Sequence, residues 1–301
     1  MNARIDLRPL FCMAMLLCLA VLAACGGYGS GMGSNMGMCG GMYGGTCPPT
    51  SSGPPAGTVS MAVTLSADQL FPQPATTASG TGSFSVDQTT GAFSGSITLT
   101  GVTASSVELG DAYAGATSTA IVVLTMNASN PNGWDVPAGT TFNSQMSADM
   151  AAGKIYVLVR SAANPNGELR AQLLPSGIVV KFAALTGSAE VPAVASTASG
   201  QVAVTVDAAK LRAAAHINIA GLTATGAELA TGAVGVVGAQ LATLVVDANN
   251  PNHYLNEAIS LISADASNFT NELWYGNVFS AAHPAGELRG QIGPAAASAP
   301  M

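Results

Sequence analysis

Residues Gly167-Glu168-Leu169-Arg170-Ala171-Gln172-Leu173 return near the end of the chain as Gly286-Glu287-Leu288-Arg289-Gly290-Gln291-Ile292. Each copy follows a turn of small residues, Ala163-Asn164-Pro165-Asn166 and Ala282-His283-Pro284-Ala285. Read with the two-residue period of a strand, Leu169, Ala171 and Leu173 face one way and Glu168, Arg170 and Gln172 the other. The second copy alternates in the same manner. Only 8% of the 301 residues are charged, so a repeated Glu-x-Arg is conspicuous. It has two readings: a structural ion pair on one face, Glu168 with Arg170 and Glu287 with Arg289, or a binding role at the sheet rim. An exposed pair contributes only about 0–1 kcal/mol. The recurrence therefore favours a covered pair, hydrogen-bonded to turn backbone.

Working outward, the chain matches itself at a fixed spacing. Ala78-Ser79-Gly80 corresponds to Ala198-Ser199-Gly200, an offset of 120. Val86-Asp87, Gly101, Glu108-Leu109 and Asn130-Pro131-Asn132 find Val206-Asp207, Gly221, Glu228-Leu229 and Asn250-Pro251-Asn252 at that offset. The closing motif is offset by 119, so one residue is lost between. The repeats run over 58–175 and 178–294, each domain-sized. Within each, short alternating runs are punctuated by turn residues: Val59–Leu65, Gly82–Val86, Ala92–Leu99, a continuous apolar run Ala120–Leu124 read as a buried strand, and Lys154–Val159. Such patterning predicts an all-β protein of two tandem Greek-key or immunoglobulin-like β-sandwich or barrel domains. One short helix per repeat is expected, around 141–151 and 255–264. Pro175-Ser176-Gly177 makes a tight joint, so the repeats are expected to pack against each other.

The first 24 residues read as an export signal, with Arg4 and Arg8 before the apolar run Leu10–Ala24. That run is shorter than the roughly 20 residues a spanning helix needs. It ends Leu22-Ala23-Ala24-Cys25-Gly26, which resembles the bacterial lipobox. The resemblance implies cleavage before Cys25, lipidation of its thiol and a membrane partner through the lipid anchor, with glycine after the cysteine compatible with the outer membrane. The expected location is the bacterial cell envelope. A net charge of −7 with nine Lys and Arg argues against nucleic acid as a partner.

Residues 25–57 form a Gly/Met-rich tether, too poor in apolar surface to offset its ordering entropy. A short disordered tail is expected over 295–301. Met32, Met36, Met38 and Met42 are interleaved with Cys39 and Cys47. Thioethers and thiolates suit Cu(I), so copper binding is one reading of the tether. The other is a plain linker, with or without a Cys39–Cys47 disulfide. The two repeats contain no cysteine.

The repeats resemble the CHRD domain, named for chordin and common in secreted bacterial proteins. The residues that carry the likeness are Leu70-Phe71-Pro72 and Glu190-Val191-Pro192, the Ala-Ser-Gly that follows, Gly101-Val102 and Gly221-Leu222, and the closing Gly-Glu-Leu-Arg. The resemblance implies an all-β, immunoglobulin-like or Greek-key domain outside the cytoplasm; in chordin the implied role is protein binding, and for bacterial members the family implies little about activity. The chain departs from the family where His-Ile-His is usual. It reads Glu108-Leu109-Gly110 and Glu228-Leu229-Ala230 there, and Arg160 and Phe279 stand where a further histidine is common. The stretch from Glu108 to Gly115 is also similar to a loop of copper–zinc superoxide dismutase; without histidine ligands that likeness implies a barrel with no metal chemistry.

Three histidines, His216, His253 and His283, lack counterparts in the first repeat and show no ligand spacing. No nucleophile–base pair or phosphate-binding loop is evident. Glu108 and Glu228 share a context and are candidates to hold a cation or partner; otherwise they are surface carboxylates. Trp134 and Tyr254 are expected to cap the core. The sequence thus reads as a non-catalytic binding or structural module with no cofactor beyond the copper of the tether reading, and with an extracytoplasmic protein partner.

Overall fold

The computed structural model describes residues 57–293. The leader, Cys25, the Met/Cys residues of the tether and the tail over 295–301 lie outside the described residues.

The first repeat comprises β1 (Thr58–Leu65), β2 (Ser79–Asp87), β3 (Phe93–Thr100), β4 (Ala104–Asp111), β5 (Ala120–Val123), β6 (Thr125–Asn127), β7 (Asn130–Asp135), α1 (Ser144–Ala151), β8 (Ile155–Ser161) and β9 (Leu169–Gln172). The second comprises β10 (Ile178–Leu185), β11 (Ser199–Asp207), β12 (Arg212–Ala220), β13 (Ala224–Thr231), β14 (Ala239–Asp247), β15 (Asn250–Ser260), α2 (Ser263–Thr270), β16 (Trp274–Ser280) and β17 (Leu288–Ile292).

Strand order in repeat 2 is β10-β11-β12-β15-β14-β13-β16-β17. Strands β13, β14 and β15 form a meander and β16 returns beside β13, which is a Greek key. A bridge between Thr186 and Arg289 brings the two edges together, so the sheet is a nearly closed barrel. Repeat 1 repeats this order in two sheets, β1-β2-β3-β7-β6 and β5-β4-β8-β9. The break falls at Leu124, where the continuous β14 of repeat 2 is replaced by β5 and β6.

Local chemistry explains the elements. The β2–β3 hairpin closes because the Asp87 carboxylate accepts from the backbone N–H groups of Thr89 (2.8 Å) and Thr90 (2.9 Å). Gly91 supplies the positive φ that ends the turn. Helix α1 starts where the Asn143 side chain accepts from Met146 N, 2.9 Å away. Each barrel has its own core. Phe84, Phe93, Ile97, Leu109, Ile155 and Leu169 fill the first. Val204, Ile217, Leu229, Trp274, Val278 and Leu288 fill the second. Trp134 and Tyr254 are buried as caps on these cores, and the Tyr254 hydroxyl donates to Ala224 O.

Two expectations need correction. The helix sought over 255–264 begins only at Ser263, because the preceding residues are claimed as strand β15 by partners on both sides, β12 and β14. The run Ala120–Leu124 is not a buried strand: β5 ends its sheet, Val123 is exposed, and only Leu124 is fully inside.

Candidate functional site

The closing motif is built into the fold more deeply than an ion pair would be. Arg170 is 1% exposed and its guanidinium stacks over the Tyr156 ring at 3.8 Å. It donates to the carbonyls of Ala116 (2.5 Å) and Tyr113 (3.1 Å) and to Gln172 Oε1 (3.0 Å). Gln172 Nε2 in turn donates to Ala112 O and Gly153 O. The loop over 112–118, between β4 and β5, is thus held from below by the closing strand. Tyr156 completes the hold by accepting from Ser118 N. Burial lowers the arginine pKa to about 10.

Repeat 2 reproduces the clamp. Arg289 stacks over Tyr275 at 3.4 Å and donates to Ala233 O (3.2 Å) and Val236 O (2.8 Å). Gln291 Nε2 reaches Gly232 O, and the Tyr275 hydroxyl accepts from Gly238 N. The loop over 232–238 is the counterpart of 112–118.

The glutamates serve elsewhere. Glu168 accepts from Thr76 Oγ1 and Glu287 from Ser196 Oγ, each at 2.7 Å. Hydrogen bonds, led by those of Ser161 and Ser280, hold both carboxyls below the usual range. They tie the closing strand to the segment after the Pro turn. Among the described residues Glu168 makes no ion pair with Arg170, nor Glu287 with Arg289. The expected ion pairs are therefore corrected. The Glu and Arg side chains are drawn in opposite directions by nearer hydroxyl and carbonyl partners, and the arginine charge is met by a ring and by carbonyl dipoles.

Glu108 and Glu228 do not converge. Glu108 is engaged by Arg160, whose Nη2 and Nε donate to one carboxylate oxygen at 2.6 and 3.0 Å. In repeat 2, Phe279 replaces that arginine, and burial raises the Glu228 pKa. Nearby, Glu190 and Asn277 cradle Gly286, where a Cβ would sit 2.7 Å from Glu190 Oε1 and 2.8 Å from Asn277 Oδ1. Both oxygens are buried with no hydrogen-bond partner among the described residues. Repeat 1 lines the same cradle, around Gly167, with Leu70 and Leu158.

The repeats meet at a junction whose residues the sequence did not disclose. The loop over 112–118 sits on the outer face of β11 and β12. A Cβ at Gly115 would lie 2.7 Å from His216 Cβ and 3.0 Å from Ala203 Cβ, and Asn218 Nδ2 donates to Gly115 O at 2.7 Å. Beneath this contact, His216 Nδ1 lies 3.0 Å from His253 Nε2, and His253 Nδ1 lies 3.0 Å from Asp247 Oδ2. A carboxylate only accepts, so His253 carries its proton on Nδ1 and accepts from His216 through Nε2. His216 Nε2 then holds a lone pair, 3.5 Å from Glu257 Oε1. Burial lowers the His216 pKa, and the His216 contact lowers that of Glu257. The arrangement can accept a proton inside the junction. It opens on a polar cleft of about 440 Å³ between the repeats, lined by Gln69, Asn166, Gln201 and Asp247 among others.

Sequence reasoning treated His216 and His253 as unrelated. One signal joins them: both are new to repeat 2, where the equivalent positions of repeat 1 are Ser96 and Gly133. Among the described residues no group of three or more His, Cys, Asp or Glu side chains is arranged to hold a metal.

Two Greek-key β domains, each with its closing arginine locked beneath an end loop, define the chain as a tandem β-module protein. The family model of the CHRD domain matches residues 61–173 and 182–292, and the chain belongs to that family. No curated protein and no solved structure matches the chain.

Proposed function

We propose that the protein is a non-catalytic binding module of the bacterial cell envelope, tethered through a lipid on Cys25, which presents its end loop to an extracytoplasmic protein. One observation carries this reading. The loop over 232–238 holds Val234, Val236 and Val237 at 79, 51 and 66% exposure while Arg289 fixes its backbone. Apolar side chains on a pre-ordered loop bind with little further loss of conformational freedom. The lipobox-like end of the leader supports the anchor. Among the described residues no helix is long and apolar enough to cross a membrane.

Photo-cross-linking in intact cells tests the reading. A cross-linker in place of Val234 is expected to capture protein. Absence of adducts at Val234 would contradict it. Replacement of Cys25 by serine is expected to move the protein from the membrane to the soluble fraction.

A further inference from the structure

The loop over 112–118 shows what its counterpart is shaped to do. Both loops have the same backbone ties: Arg170 or Arg289 below, a tyrosine hydroxyl at the end, and a tight turn from Ala116 N to Tyr113 O (3.1 Å) or Val236 N to Ala233 O (3.0 Å). The first loop is seated on the outer face of the next repeat, against Ala203, His216 and Asn218. Among the described residues the second is covered by no other repeat, and Val234, Val236 and Val237 are exposed. The matching outer face of repeat 1, on β2 and β3, carries Ser83, Ser96 and Thr98, all exposed. Among the described residues there is therefore one exposed loop and one exposed face of the kinds that already pair inside the chain.

Side-chain volumes at the two ends are complementary. Inside the chain, a loop of small residues (Ala114, Gly115, Ala116) meets a face that carries the large His216. At the free ends, valines replace Ala114, Ala116 and Thr117 in the loop, and Ser96 replaces the histidine in the face. A bulkier loop is matched by a shallower floor. The β2–β3 face around Ser83, Ser96 and Thr98 presents hydroxyls, and the half-buried Asp135 of β7, opposite Ser96, is already held by Asn127 Nδ2 at 2.7 Å. Thr98 stands where Asn218 donates to the loop carbonyl, and its hydroxyl can donate in the same way. Gly235 lacks any atom within 4 Å of an added Cβ, which leaves the approach that Gly115 makes still open.

We infer that the loop over 232–238 docks on the outer β2–β3 face of repeat 1 in a second copy of this chain. This rests on the binding-module reading above and names its partner. The contact is head-to-tail: it leaves a free loop at one end and a free face at the other, so it adds further copies unless the step closes a ring.

The test is analytical ultracentrifugation of the chain from Gly26 onward, under reducing conditions so that Cys39 and Cys47 cannot cross-link copies. The mass of the wild type is expected to climb beyond a dimer as concentration rises. Val234→Asp in the loop and Ser96→Asp in the face, where the new carboxylate stands beside Asp135, should each weaken association by roughly a hundredfold, the effect of burying one unpaired charge. Mixed in equal amounts, the two variants are expected to give dimers and nothing larger, because one good loop and one good face remain. Both sites are exposed, and unchanged circular dichroism and melting would verify the folds. A wild type that stays monomeric, or a Val234→Asp chain that assembles like the wild type, overturns the inference. If the wild type stays monomeric while Val234 still cross-links to another protein in cells, self-docking fails and the binding-module reading stands. If vesicles of phosphatidylcholine retain the wild type but not Val234→Asp, the occupant is a lipid surface and self-docking likewise fails.

Discussion

The loop over 112–118 and the loop over 232–238 share one scaffold and differ in what covers them. Each is clamped by the arginine and glutamine of its own closing strand. The first is packed at Gly115 against Ala203, His216 and Asn218 of the other repeat; the second displays three exposed valines. Rigidity is therefore a property of the module, and burial is a property of its neighbour. A repeat protein can keep the clamp constant and vary only the residues at the loop tip and the receiving face.

The largest effect is expected from the clamp itself. Arg170→Ala removes a buried cation that serves two loop carbonyls and a tyrosine ring, and should cost roughly 3 kcal/mol or more. Arg289→Ala removes the same contacts from the open loop. Because the Arg170 loop also carries the junction, Arg170→Ala should lower the melting temperature more than Arg289→Ala, as differential scanning calorimetry would show. Equal losses would mean that the junction adds nothing to the stability of the clamped loop.

Glycines sharpen the comparison next. Gly115 and Gly235 both have positive φ, +90° and +76°. An alanine at either pays a similar backbone strain of about 1–2 kcal/mol. Only at Gly115 would the new methyl meet another repeat, so Gly115→Ala should cost about 1–3 kcal/mol more than Gly235→Ala in urea unfolding.

A third difference can be erased by mutation. Around Gly286, Glu190 and Asn277 bury polar oxygens that find no partner among the described residues, where repeat 1 packs Leu70 and Leu158. The double variant Glu190→Leu/Asn277→Leu is expected to stabilise repeat 2 by about 1–3 kcal/mol, measured as a raised melting temperature. A loss of stability would show that the polar cradle is satisfied by groups outside the barrel.

The smallest effect concerns pH. His216 is held neutral by burial, with its pKa lowered in the folded state. The unfolded chain then binds more protons once the pH falls below about 6.5. Stability from this group is present above that pH and is lost as acidification proceeds toward the folded pKa. His216→Gln should flatten the fall in stability below pH 6.5, and an unchanged profile would place the titration elsewhere.

Much of the fold was legible because strands announce themselves by period. The alternation of Leu169, Ala171 and Leu173 and the offset of 120 residues locate both barrels. The site was legible only in part. Glu168 and Arg170 stand two residues apart, and that spacing suggested a pair; their true partners, Thr76 and the carbonyls of Tyr113 and Ala116, are 54 to 92 residues away. The His216–His253 contact depends on β12 lying beside β15, a pairing set by Greek-key topology and invisible to local pattern. The exposure of Val234, Val236 and Val237 likewise depends on what packs against the loop, which local pattern does not encode.

Hydrogen exchange followed by mass spectrometry tests the central contrast most directly. The two loops share their internal hydrogen bonds, so any difference in amide protection reports the covering neighbour alone. In dilute protein, residues 112–118 should exchange slowly and residues 232–238 rapidly. Equal rates in the two loops would contradict the account.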